Sequence, residues 1–163
     1  MVKRVIAVIL SGMILIIIGA LSVWAQQPCL VPSLASATLV QTITPNEPTA
    51  RAWNTAVGQL AGVAGGFAGI FLTGSNATPS FMDHHTLTLA RAGAAALAVV
   101  IASGLQLLLK AISPAGAATA LVLALGAETA TLPGAGRLIV GIFLVTLLGE
   151  LTRLGILRGG PVS

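Results

Sequence analysis

Five apolar stretches follow one another along the chain, separated by shorter polar segments. An apolar helix of about 20 residues is long enough to cross the roughly 30 Å of hydrocarbon in a bilayer. The predicted spans are residues 5–24, 53–73, 87–109, 115–132 and 138–157. The pattern therefore predicts an all-α fold, a polytopic transmembrane helical bundle of about five spans, with residues 1–163 forming a single membrane domain.

The first stretch leaves two interpretations open. It follows the basic pair Lys3 and Arg4 and ends in small residues, which also fits a secretory signal cut after Ala25. Signal peptides, however, have apolar cores of roughly 7–15 residues, and this uncharged stretch is longer. We therefore favour a retained membrane anchor, and removal of the segment would leave four spans.

The longest polar segment, residues 25–52, is predicted to lie outside the membrane. It contains prolines at positions 28, 32, 45 and 48, together with Glu47 and Arg51. Proline has no backbone N–H and interrupts helices, and clusters of Pro, Ser, Thr and Asn are typical of loops. The expectation is an extended or turn-rich extramembrane loop between the first two spans.

Composition and charge also place the chain in a membrane. Hydrophobic residues make up 56% of the chain and charged residues only 7%, with a mean hydropathy of +1.00, whereas soluble domains contain roughly 25% charged residues. The eight Lys or Arg residues are scattered, so the net charge of +4 does not indicate a nucleic-acid surface. We expect an integral protein of the bilayer, in the cytoplasmic membrane of a bacterium. Lys3 and Arg4 favour a cytoplasmic N-terminus, and five spans would then place the C-terminus outside.

The second span carries glycines on one helical face. They recur at intervals of three and four residues: Gly58, Gly62, Gly65, Gly66 and Gly69. Small residues at this spacing let two helix backbones approach closely, and such contacts drive helix association in lipid. The sequence predicts helix packing through this face. We favour packing within the chain over contact with a second copy or another membrane subunit.

Glu128 is the ionisable residue that the span pattern explains least. In the predicted fourth span it shares one face with Gly116, Ala120 and Ala124, so its carboxyl would point into the bundle. An ionisable group at membrane depth is by default a functional hypothesis, although a position near the helix end also fits a local hydrogen bond at the interface. Its best candidate partner is Arg137, across the short connection to the fifth span.

A helix break follows the second span. Thr73, Ser75 and Asn76 lie there, and broken helix ends are places where ions and small anions bind in transporters. The segment Gly65–Asn76, read together with Ile112–Pro114, resembles short parts of the bacterial lactate permease family. The resemblance implies a transport role for the break, which with the carboxylate and arginine above makes a possible ion or proton site.

The remaining polar groups show no catalytic or metal-binding pattern. Asp83, His84 and His85 are adjacent, whereas zinc-binding helices place two histidines four residues apart. We interpret them as interfacial residues or as a cap for the third span. The single cysteine allows no disulfide within the chain, and Glu150 and Arg153 are three positions apart and are predicted to neutralise each other. No catalytic residue, metal or cofactor is predicted.

These features predict a small non-enzymatic integral membrane protein and leave two functions open. The first is a structural or accessory subunit of a membrane complex, which associates with other membrane subunits or with itself through its glycine and alanine faces. The second is a transporter or channel component that moves a proton, a cation or a small anion, using Glu128 and the helix break at Thr73–Asn76. The first is the leading hypothesis.

Overall fold

The computed structural model describes residues 2–26, 32–128 and 131–158, and most of this part of the chain is helical. The α-helices are α1 (Val2–Trp24), α2 (Pro32–Ile43), α3 (Ala52–Thr73), α4 (Phe81–His84), α5 (Leu89–Leu108), α6 (Pro114–Ala124) and α7 (Leu132–Arg158). Short 3-10 turns at Pro48–Ala50 and Ser75–Ala77 lie on either side of α3. The described residues form no strand, so the predicted all-α fold is confirmed.

Four of the described helices are long and apolar enough to cross a membrane. They are Val5–Trp24, Ala52–Thr73, Leu89–Leu108 and Pro133–Arg158. Four of the predicted spans, residues 5–24, 53–73, 87–109 and 138–157, correspond to them. The polytopic helical bundle is therefore confirmed, with four long spans in the described part of the chain rather than five.

The fourth predicted span, residues 115–132, is wrong in its length. α6 begins where the sequence indicated, because the Ser113 side chain caps it and Pro114 occupies its first turn. The helix ends at Ala124, since Gly126 adopts a left-handed backbone with a φ of 91° and turns the chain. With 11 residues, α6 is about 16 Å long and too short to cross a bilayer alone.

α7 begins at Leu132, earlier than the predicted residue 138. Pro133 lies in the first helical turn, where its missing N–H would have no partner within the helix. The Thr131 hydroxyl accepts a hydrogen bond from the backbone N–H of Gly134 at 3.3 Å and caps the turn. The early start places Arg137 within α7, in its second turn.

Residues 25–52, predicted as an extramembrane loop, contain the helix α2. Its buried residues are Ser33, Leu34, Ala37, Thr38, Gln41 and Thr42. α2 packs against α1, α6 and α7. Pro32 is the first residue of α2 and Pro45 follows its end, so neither interrupts it. Three of its hydroxyls donate to carbonyls of the same helix, for example that of Thr42 to the Thr38 carbonyl at 2.9 Å. The loop prediction was wrong for this stretch because hydrogen bonds within the helix satisfy most of its hydroxyl side chains.

On one side, the glycines of α3 contact α6. A Cβ at Gly62 would overlap the carbonyl group of Gly116, so the two backbones touch. Gly58 and Gly66 lie one turn to either side, against Ser113 and Leu123. The order of these contacts shows that α3 and α6 run parallel.

On its other side, α3 contacts the alanine face of α5. A Cβ at Gly65 would lie 2.6 Å from the carbonyl oxygen of Ala98, and one at Gly69 would lie 2.5 Å from that of Ala94. Contacts that ascend along α3 descend along α5, so these two helices are antiparallel. The glycine face therefore packs within the chain, as we favoured, and its surface is occupied.

Replacing Gly62 by alanine should force α3 and α6 apart. Overpacking of this kind lowers the free energy of unfolding by about 1–3 kcal/mol, which a lower melting temperature in detergent would report. The matched control is Gly104→Ala in α5, where no heavy atom lies within 4 Å of the new Cβ. Equal melting temperatures for the two variants would contradict the close contact.

Two ends of the bundle follow from the helix directions. Arg153, near the end of α7, donates to the carbonyl of Pro45, which precedes α3, at 2.9 Å. Arg91, in the first turn of α5, donates to the carbonyl of Ala124 at the end of α6 at 3.0 Å. We call the end with the Arg153–Pro45 contact the Arg153 end; α3 and α6 begin there, and α5 and α7 finish there. The opposite end, where α3 and α6 finish and α5 and α7 begin, is the Glu128 end.

Basic residues are distributed unevenly between these ends. In the described part of the chain, Arg51, Lys110 and Arg158 are exposed at the Arg153 end. At the Glu128 end, Arg91 is bound by backbone carbonyls and Arg137 by a carboxylate. An excess of Lys and Arg marks the cytoplasmic side. We therefore expect the Arg153 end, and with it the end of α7, to face the cytoplasm, unlike the orientation expected from five spans.

Single cysteines introduced at the two ends test this orientation in intact cells. Asn46 and Thr86 are exposed at the Arg153 and Glu128 ends, respectively. In a Cys29→Ser background, a membrane-impermeant maleimide should label Thr86→Cys from outside and Asn46→Cys only after the membrane is permeabilised. The reverse labelling pattern would show that the orientation is inverted.

Candidate functional site

A cavity of about 380 Å³, lined mostly by polar and charged residues, lies at the Glu128 end. It is bordered by α3, the segment after α3, the start of α5 and the connection between α6 and α7. Its polar and charged lining residues are Asn76, Ser80, Asp83, Arg91, Glu128 and Thr131. Three ionisable side chains around one cavity are a marked concentration of charge in a chain with only 7% charged residues.

Two glycine turns bring the walls of the cavity together. Gly74 ends α3 in a left-handed conformation with a φ of 66°, which sends the following segment over the end of α6. There the Ser80 hydroxyl donates to the carbonyl of Gly126 at 2.9 Å, and the Phe81 N–H donates to that of Leu125 at 3.0 Å. The positive φ of Gly126 and its contact with Ser80 both favour glycine. These bonds close one side of the cavity.

Arg91 joins three elements of the Glu128 end. It lies in the first turn of α5 and is 6% exposed. Its guanidinium donates to the carbonyls of Thr78 at 2.9 Å, Pro79 at 3.2 Å and Ala124 at 3.0 Å. The last of these belongs to the end of α6, where carbonyls lack helical partners and the helix dipole is negative. Arg91 therefore fixes the cavity wall.

In the sequence, Arg91 is only one of eight scattered basic residues. Its position within the third predicted span, residues 87–109, was the available signal, because an ionisable residue inside a span is by default a functional hypothesis. Its partners are backbone carbonyls, which exist at every residue, so no residue type in the sequence pointed to them.

Glu128 lies in the connection after α6, so its predicted place on a helical face was wrong. Its side chain is 8% exposed and forms an ion pair with Arg137 of α7, the partner that the sequence indicated. Pairing compensates the burial of both charges, since an unpaired carboxylate in an apolar bundle would be strongly destabilising. Glu128 thus borders the cavity with its charge held in place.

The other residues of the predicted ion site are close in sequence but differ in placement. Asn76 lines the cavity. The Thr73 hydroxyl donates to the carbonyl of Gly69 at 2.8 Å, and the buried Ser75 hydroxyl lies 3.4 Å from that of Ile70. Thr73 and Ser75 therefore bond back onto α3. The role of the predicted set in binding an ion stays a prediction.

Asp83, His84 and His85 are exposed in and after the one-turn helix α4. Asp83 borders the cavity. The cap of α5 is Thr88, whose hydroxyl accepts from the N–H of Arg91, so the capping role suggested for the three was wrong. Among the described residues, no group of three or more His, Cys, Asp and Glu side chains is placed to hold a metal.

Glu150 and Arg153 form their predicted ion pair at the other end of the bundle. Arg153 donates to both carboxylate oxygens, at 2.7 and 2.9 Å, and also to the carbonyl of Pro45. The pair therefore attaches the chain after α2 to the end of α7. It is a structural contact outside the cavity.

Comparison with family models matches residues 1–155 to the model described as "HPP, transmembrane region". The chain belongs to the HPP transmembrane family. The match covers nearly the whole chain, including the glycine face, the cavity and both ion pairs, and it confirms a multi-pass integral membrane protein. The HPP family is not known as an enzyme family. No curated protein and no solved structure matches.

Replacing Arg91 by glutamine should loosen the Glu128 end of this HPP-family protein. The variant leaves at least two of the three carbonyls without their donors, and loss of the donor to a buried carbonyl, such as that of Ala124, lowers the free energy of unfolding by about 1–3 kcal/mol. Thermal unfolding in detergent measures the effect. Arg158→Gln is the control because Arg158 is exposed at the opposite end. A wild-type melting temperature for Arg91→Gln would show that the bonds of Arg91 do not stabilise the cavity wall.

Proposed function

We propose that this small HPP-family protein is not an enzyme and that it holds an ion or a small polar solute in the cavity at the Glu128 end, as a component of membrane transport. We place it in the cytoplasmic membrane of a bacterium. The observation that carries the proposal is the gathering of Asp83, Arg91 and Glu128 around one cavity of a bundle with few charged residues. The family assignment itself does not separate a transport component from a structural or accessory subunit.

The chemistry of the lining supports binding of a small charged or polar ligand. Polar groups inside membrane proteins mark substrate and ion pathways, and the cavity volume of about 380 Å³ lies within the roughly 300–1,000 Å³ of small-molecule sites. Arg91 already donates to three carbonyls, so the charged acceptors at the wall are the carboxylate of Asp83 and that of Glu128, which also pairs with Arg137. Ser80 and Thr131 add hydroxyls. Protons and monovalent cations fit this set better than anions.

A structural or accessory role in a membrane complex is the second candidate. The observation that favours it is α1, of whose span only 22% is buried, so most of its apolar surface faces lipid or another protein. The glycine face of α3 cannot serve such contacts because α5 and α6 occupy it. A stoichiometric partner recovered with the full chain in mild detergent would support this role.

Glu128→Gln tests the transport proposal in proteoliposomes. The variant keeps the shape of the side chain but removes the charge at the cavity, so we expect at least a tenfold, or about 1.4 kcal/mol, loss in flux of the transported ion. The probes are protons, Na⁺, K⁺ and Cl⁻, followed with fluorescent indicators. Glu47→Gln is the matched control, because Glu47 is exposed near the Arg153 end, outside the cavity.

Two results would count against transport through this cavity. One is equal flux through wild-type protein and Glu128→Gln for every probe that the wild type conducts. The other is an absence of wild-type flux for all four probes, together with recovery of a stoichiometric partner. The second result would favour the structural or accessory role instead.

A further inference from the structure

We propose that the bundle contains a second, uncharged binding site, in which ordered water bonds to the buried side-chain amides of Gln41 on α2 and Gln59 on α3. Both residues are 0% exposed. Amides are strongly hydrated in water, and their burial without hydrogen bonds is unfavourable. Their retention inside an apolar bundle therefore needs a partner.

Gln41 extends towards α7, where Gly149 leaves room for it. A Cβ at position 149 would lie 2.6 Å from the side-chain carbonyl carbon of Gln41, so glycine is needed to admit the amide. Within the described residues, neither the nitrogen nor the oxygen of this amide has a hydrogen-bond partner. Exchanging the amide nitrogen and oxygen would still leave both atoms without a partner. The hydroxyl of Thr146, one turn before Gly149, also lacks a partner among the described residues.

Gln59 belongs to a second group of buried polar side chains. The Thr119 hydroxyl lies 2.9 Å from the Ser33 hydroxyl, 3.3 Å from the Gln59 side-chain oxygen and 2.9 Å from the Ala115 carbonyl. The Ser33 hydroxyl can donate to that of Thr119, but the single proton of Thr119 can serve only one of the two carbonyl oxygens, those of Gln59 and Ala115. The Gln59 nitrogen has no acceptor in the described part of the chain, and exchanging the amide atoms would leave the oxygen unpaired instead.

Water fits the chemistry of both groups. The unpaired atoms belong to amides and hydroxyls, and a water molecule can both donate to and accept from such groups. Buried water makes about three hydrogen bonds, usually to groups that lack other partners. One water near Gln59 has the amide and the hydroxyls of Ser33 and Thr119 as partners. Neither group includes a charged side chain, so an ion has no counter-charge here.

The two groups are joined by one face of α2. Ser33 and Gln41 are eight residues apart on that helix, a rise of about 12 Å. Beyond Gln41, the chain leads to Pro45 and its contact with Arg153 at the Arg153 end. This hydrated face could also carry a solute from the cavity, and that part of the proposal rests on the proposed function. The hydration itself rests only on the buried amides.

Solid-state NMR of the full chain in liposomes tests the hydration directly. The protein is labelled with ¹⁵N at its glutamine side chains, and magnetisation is transferred from water to the amides. Gln106 is an internal control, because it is 4% exposed and its amide bonds at both atoms, to the Gly58 carbonyl and the Ser113 N–H. We expect the Gln41 and Gln59 signals to receive magnetisation from water and to be lost in D₂O, while the Gln106 signal persists.

Two glycine variants, one of them a control, provide a second test of the hydration. Gly149→Ala should displace the Gln41 amide and abolish its transfer from water, whereas Gly155→Ala, where a Cβ meets no atom within 4 Å, should not. Signals are identified by sequential assignment of the wild type, which requires no variant to fold. If Gln41 and Gln59 stay as dry and as slowly exchanging as Gln106, the proposal is overturned, whatever the flux through Glu128→Gln.

Discussion

The close approach of α3 to α5 and α6 is the contact on which the rest of the bundle depends. In lipid there is little hydrophobic drive between helices, so association relies on van der Waals contact and backbone approach. α3 provides both through its glycines, and 56% of its span is buried, against 22–28% for the other long helices. The same contact sets how far α5 and α6 extend past each other, which brings Arg91 to the Ala124 carbonyl and forms the wall of the cavity.

The two short helices follow from that arrangement. α6 cannot cross a bilayer, yet it need not do so, because it lies against α3 along its whole length and its turn at Gly126 is held by Ser80. Irregular backbone at membrane depth is tolerated where protein surrounds it. α2 is held in the same way by α1, α6 and α7. Both helices therefore place polar groups inside the bundle without exposing them to lipid.

The parts that could be predicted from the sequence depend on spacing along the chain. Hydropathy gave the long spans, and the ion pairs of Glu128 with Arg137 and of Glu150 with Arg153 join residues close in sequence. The parts that were missed depend on the fold. The end of α6 depends on the backbone of Gly126, and the role of Arg91 depends on carbonyls from two other segments. α2 was missed because Ser, Thr and Pro favour loops, although its hydroxyls bond within the helix.

Packing and polarity divide the bundle in a way that bears on function. The contact of α5 with α6 is built from small side chains, including the buried Ala94, Ala98 and Ala120. The unpaired atoms of Gln41 and Thr146 lie instead on α2 and α7. Tightly packed small residues resist movement, whereas the buried polar side chains of α2 and α7 offer partners to water, so the proposed hydration follows these two helices. Gln59 adds a further buried amide on α3, and the glycines of that helix, packed against α5 and α6, hold it in place.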